Sequence, residues 1–255
     1  AASSPAAVAE REETVLLSLP DSAAVQAVAF GKDSIVAGGK ARTVIDLSTI
    51  GPQGAASLSA GLADRGVVAV DAPVSGGVPG ARKGTLAVMV ACRADRRELV
   101  EPILENFGKV FFVGETPGQA QMMKLVNNLL SVTALAISSE ALVLGAKAGL
   151  DPDLMVEVIN AGSGCNTATL TKIPNFVLPR SFDYGFALAL SVKDTNLCLE
   201  EGAARGVPMR VGQAVRELLA TATKACGPTA DMTDIIKPIE RQAGIEVVGR
   251  KAKGS

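Results

Sequence analysis

Apolar periodicity changes once along this chain, near residue 118, and that change decides which folds are open to it. Before it, short apolar runs at 14–19, 43–47, 67–71, 86–91 and 110–113 alternate with helical stretches at 21–30, 52–65 and near 95–106. Strand-length runs separated by helices predict a mainly parallel sheet. After it, every long segment has helical spacing: 119–148, 152–161, 167–178, 187–205, 208–226 and 231–242. The expectation is an α/β domain over 1–116, then an all-helical domain over 117–255 reached through a long helix.

Composition narrows the partners. The 255 residues are 48% hydrophobic with a formal net charge of −1, enough for one or two cores and too neutral for a nucleic acid or other polyanion. Aromatics make up 3% and tryptophan is lacking, which removes the usual platform for stacking bases. Cys92, Cys165, Cys198 and Cys226 are scattered, and there is no histidine. A structural metal site therefore has too few ligands, and reduced thiols in a cytoplasmic protein are expected. Residues 1–13 carry no secretory signal and read as a helix capped by Ser4 with Pro5 in its first turn. The chain thus reads as beginning inside a domain. The apolar stretch 125–150 is long enough to raise a membrane span, but Glu140, Lys147 and several serines interrupt it. A buried central helix, with no membrane partner, is expected. Residues 249–255 read as a frayed basic tail.

Chemistry concentrates in three segments. GQAQMMKLVNN at 118–128 sets Lys124 and Asn128 four apart on one helix face, just after a glycine turn. With no histidine, proton transfer near neutral pH falls to Lys, Asp, Glu, Cys or the single tyrosine. Lys124 leads, because Met122, Met123, Leu125, Val126, Leu129 and Leu130 surround it with apolar neighbours. Burying an ammonium and a carboxamide there costs several kcal/mol without partners; a snorkelling lysine is the competing reading. DAPVSGG at 71–77 follows a strand, and Ser75, Gly76 and Gly77 could bring backbone N–H groups up to an anion. A turn that merely needs glycine explains them equally well. Lys193–Asp194 interrupts a third apolar run, either as a site or as a solvated helix entry.

In this order, DAPVSGG, the glycine-turn KxxxN helix and SVKDTNL at 191–197 resemble the β-hydroxyacid dehydrogenase family (3-hydroxyisobutyrate dehydrogenase and 2-hydroxy-3-oxopropionate reductase among its members). LSLPD and VIDLSTIGP, at 17–21 and 44–52, match two more of its segments, and the likeness runs from about residue 5 to 240. It implies a Rossmann-type domain with its N-terminal part missing, then an all-α substrate and dimerisation domain. It also implies hydride transfer between NAD or NADP and a small carboxylate substrate, a β-hydroxyacid or its semialdehyde. On that resemblance Lys124 is the catalytic lysine and Asn128 positions substrate. Ser75, Gly76 and Gly77 hold the substrate carboxylate, and Leu19, Pro20, Thr49 and Lys193 line the nicotinamide cofactor. A homodimer or homotetramer is implied as well.

Two departures stand out. Ala120 replaces the second glycine before the lysine, and no GxGxxG turn with its strand and helix is present. The residues that choose NAD or NADP are therefore not readable, and weak coenzyme binding by these residues is expected. A non-catalytic remnant of the family is one alternative. A 6-phosphogluconate dehydrogenase-like enzyme is the other, although that family pairs its lysine with a histidine.

Overall fold

The computed structural model of the protein describes residues 1–252, with Lys251 as backbone alone. Chain contacts separate two compact units, Ala1–Val126 and Asn127–Ser255. The division falls inside one helix, about ten residues beyond the composition break.

The first unit opens with α1 (Pro5–Ala9), where the Ala7 N–H donates to the Ser4 hydroxyl at 3.1 Å. Then come β1 (Thr14–Leu17), α2 (Ser22–Phe30), α3 (Ile35–Gly38), β2 (Thr43–Asp46), α4 (Gly51–Ala63), β3 (Val68–Asp71) and the short β4 (Val74–Ser75). After these follow α5 (Gly77–Lys83), β5 (Leu86–Ala91), α6 (Arg97–Leu104) and β6 (Gly108–Gly114). Strands β1, β2 and β3 run parallel, β5 is antiparallel to β3 and β4, and β6 is parallel to β5. The sheet is thus mixed beyond β3, because the chain reverses after β4, through α5 and the Gly84 turn, before β5. Alternation sorts its core. Val15, Leu17 and Val44 join α1–α4 in one apolar cluster, while Ile45, Val70 and Val88 join α6 in another.

Helix α7 (Gln119–Lys147) runs 29 residues across the division. The second unit continues with α8 (Pro152–Ala161), a wide π-type turn at Ala168–Val177, α9 (Leu188–Ala204), α10 (Arg210–Cys226), a 3₁₀ turn at Met232–Ile235 and α11 (Ile236–Ala243). The expected helix at 167–178 is therefore π-wound. Pro174 lies inside it and cannot donate to the ordinary ladder. Leu135, Leu142, Ile173, Leu188, Leu219 and Ile236 centre its core.

Of the basic tail, 253–255 lie outside the described residues, and its start is not frayed. The Gly249 N–H donates to the Leu178 carbonyl at 3.0 Å, and the Arg250 N–H donates to Asp153 at 2.8 Å. The Arg250 guanidinium also faces Asp151, Asp153 and Glu157 at the start of α8. The three carboxylates on the first turns of this helix are what capture the arginine.

Candidate functional site

In the first unit the carboxyl ends of three parallel strands fall level, with Leu17 opposite Asp46 and Asp46 opposite Asp71. The loops leaving them, 18–21, 47–50 and 72–77, form the edge at which open α/β sheets bind ligands. Leu19 and Thr49 are half-buried there and Pro20 is exposed. The Leu19 N–H donates to the Ser48 hydroxyl at 2.9 Å, tying the first loop to the second.

The start of α7 is fastened to this edge through Gln121, which is fully buried. Its Nε2 donates to Asp71 Oδ1 at 2.7 Å and to the Ser48 carbonyl at 3.0 Å. Its Oε1 accepts the N–H groups of Ile50 and Gly51 at 2.9 and 3.1 Å. Asp71 Oδ2 in turn accepts the backbone N–H groups of Gly118 and Gln121 at 3.0 and 3.2 Å. Gly118 has φ +94, and a Cβ there would stand 2.9 Å from the Pro52 carbonyl, so only glycine permits the approach.

Burial raises the Asp71 carboxyl to about 6, outweighing the lowering by its Gln121 and Gly118 hydrogen bonds; the Asp46 charge adds a little. The folded state therefore binds this proton more tightly than the unfolded chain does. The associated stability is full below about pH 4 and is lost as pH rises through 6, by up to ~3 kcal/mol. The unfolding free energy of the protein relative to Asp71→Asn should thus fall between pH 4 and 7. A difference that stays flat across that window would refute the assignment.

Ser75 ends β4, and Gly76 (φ +134) and Gly77 (φ +62) carry the chain into α5 in conformations that favour glycine. No side chain caps α5, and the N–H groups of Gly77 and Val78 precede any intrahelical acceptor. Lys124 lies one turn beyond Gln121 on α7 and is only 8% exposed.

In the second unit the structure joins Asn128 to Lys193 through Asp194. Asn128 Nδ2 donates to Asp194 Oδ2 at 2.6 Å, and Lys193 Nζ stands 3.3 Å from Asp194 Oδ1. Asp194 is 4% exposed. Gln121 was missed in the sequence reading, and Asp71 and Asp194 were given no role of their own there. Gln121 carried a usable signal, a carboxamide in the same apolar surroundings that drew attention to Lys124. Among the described residues no group of acidic or thiol side chains could hold a metal ion.

Residues 1–114 match the family described as the NAD binding domain of 6-phosphogluconate dehydrogenase. Residues 118–239 match the one described as NAD-binding of NADP-dependent 3-hydroxyisobutyrate dehydrogenase. The chain is 36% identical to 2-(hydroxymethyl)glutarate dehydrogenase of Eubacterium barkeri, over 95% of this chain and 81% of that protein. It is 30% identical to 2-hydroxy-3-oxopropionate reductase of Escherichia coli, over 92% and 81%. A solved structure of Mycobacterium tuberculosis 3-hydroxyisobutyrate dehydrogenase with L-serine superposes with a TM-score of 0.80 at 30% identity, covering 92% of this chain and 81% of that one.

Proposed function

We propose how the residues work from one premise: the chain belongs to the β-hydroxyacid dehydrogenase family, NAD(P)-dependent oxidoreductases acting on small hydroxyacids or their semialdehydes. Lys124 is the proton-transfer group. It gives a proton to the substrate oxygen as a carbonyl becomes a hydroxyl, and takes one back in the opposite direction. The observation that carries this is a buried lysine one turn from a helix start clamped to the carboxyl edge of the sheet. Guanidinium or water at this place could not alternate in the same way near neutral pH.

A bound nicotinamide ring supplies or accepts the hydride. Leu19, Pro20 and Thr49 would line it, since two of the three loops at the strand ends present these residues half-buried or exposed. Lys193 would close on it from the helical side. Ser75, Gly76 and Gly77 hold the substrate carboxylate with N–H groups at the start of α5 and the serine hydroxyl. Asn128 spends one Nδ2–H on Asp194 and keeps its second for the substrate oxygen. In this reading residues 1–116 bind dinucleotide, and 117–255 supply substrate contacts and dimerisation. Nicotinamide absorbance followed with 3-hydroxyisobutyrate and with tartronate semialdehyde tests it. Turnover of either supports the assignment, and neither being turned over by the intact enzyme overturns it.

The protein should be a homodimer or larger. Met123, Leu130, Ile137 and Leu144 recur every seven residues along α7, and the last three are 67, 57 and 72% exposed. Such a seam on a 29-residue helix suits a partner helix. Helix α7 is also long and apolar enough to cross a membrane, with 39% of its most apolar window buried. A second copy is the better cover, because the start of that helix is tied into the sheet edge of its own unit. Changing Leu130 and Leu144 together to Glu should give a monomer by sedimentation, and an unchanged assembly would exclude this face. The four free cysteines fit a cytoplasmic setting.

A further inference from the structure

Lys172 is a buried cation that the reading above leaves unused. It sits in the π-wound segment and is 3% exposed. Its ammonium donates to the Ser131 hydroxyl at 3.0 Å and lies over the Tyr184 ring, 5.2 Å from its centroid. Among the described residues no carboxylate pairs with it. Burial alone pushes this ammonium below the ordinary lysine value. Three N–H donors with one hydroxyl acceptor leave the charge under-satisfied, and a buried cation in that state is stable only beside an anion or as the neutral amine.

Its partner shows where the anion would come from. Ser131 lies on α7 three residues past Asn128 and seven past Lys124. At 3.6 residues per turn these three side chains fall within about 60° of one another around the helix. Asn128 and Ser131 are separated by about 5 Å of helix rise, a gap that two or three carbon–carbon bonds span.

We propose that Lys172 and Ser131 form a second anion subsite, which selects β-hydroxyacids bearing a distal carboxylate two or three carbons from the reacting end. This deepens the hydroxyacid reading and rests on it. The substrate hydroxyl faces Lys124 and Asn128, and the distal carboxylate takes the Lys172 N–H groups left open by Ser131. Tyr184 supplies an aromatic face against the ammonium beside this subsite.

Steady-state kinetics of the intact enzyme with 2-(hydroxymethyl)succinate and 3-hydroxyisobutyrate test it. Lys172→Met should lower kcat/KM for the dicarboxylate by about 10- to 100-fold, chiefly through KM, as expected for losing a charge-assisted contact. The monocarboxylate should change by less than about threefold on the same scale. Equal losses with both acids, or no loss with either, overturn the proposal. Should Lys172→Met fold poorly, Ser131→Ala reads the same contrast at about 2- to 10-fold. A readout without turnover separates this idea from the hydroxyacid reading. By calorimetry, glutarate should bind the unsubstituted protein at least about tenfold more tightly than Lys172→Met, with butyrate unaffected. If neither hydroxyacid is turned over yet glutarate discriminates, the reaction assignment fails and the subsite stands. If glutarate does not discriminate, the subsite falls.

Discussion

Replacing Lys124 with alanine should lower turnover by roughly 10²- to 10⁴-fold, the usual contribution of a positioned general acid–base group, with coenzyme affinity nearly unchanged. The chain contains no histidine, so no imidazole stands ready to substitute. Lys124 is also buried, so bulk water is held away from the group that would move the proton. Lys124→Arg should not rescue, because a guanidinium stays protonated at working pH. The informative comparison is kcat against coenzyme binding and melting temperature in the same variant. A loss below about tenfold with folding intact would show that a different residue moves the proton. A parallel loss of coenzyme binding would instead make Lys124 a cofactor contact.

Much of this was legible in the residues, for identifiable reasons. Strands β1–β3 announced themselves because buried parallel strands are written as short unbroken apolar runs. The helix bearing Lys124 did so because a charge in an apolar helix is costly and therefore conspicuous. The reversal of β5 was not readable, since pairing direction depends on where α5 and the turn after it carry the chain and not on the run LAVMVA itself. Nor was the π winding at 168–177, where Pro174 and the Lys172–Ser131 contact act together across 41 residues of sequence. Asp71 stands at a strand end, the edge at which open α/β sheets bind ligands. It is instead spent inside the protein, accepting three N–H groups from the start of α7. Lys193–Asp194 read as either a site or a solvated helix entry, and the nearly complete burial of Asp194 with its bond to Asn128 excludes the solvated reading for it. Long-range hydrogen bonds of this kind leave no periodic trace, so they appear only with coordinates.

Gln121→Leu should be the most damaging single change outside Lys124. The leucine fits the apolar surroundings but strands four polar groups at once: Asp71 Oδ1 and the Ser48 carbonyl lose a donor, and the Ile50 and Gly51 N–H groups lose an acceptor. Each buried orphan costs about 1–3 kcal/mol, and partial relaxation brings the expected total to roughly 3–5 kcal/mol, at the upper end for point substitutions. Turnover should also fall by about 10²-fold in whatever remains folded, since a 1 Å misplacement of a catalytic group has that effect, and Lys124 is only one turn away. Gln121→Glu separates charge from shape. Its carboxylate would face Asp71, so its folded-state pKa rises above the unfolded value near 4.3. Stability is then full below that value and is lost as pH rises, so this variant should recover between pH 8 and pH 5, where the protonated acid can donate to Asp71 as the amide does. Denaturant titrations at both pH values, with kcat measured beside them, decide the matter. A leucine variant within about 1 kcal/mol of the parent and fully active would mean that other contacts hold the start of α7 to the sheet.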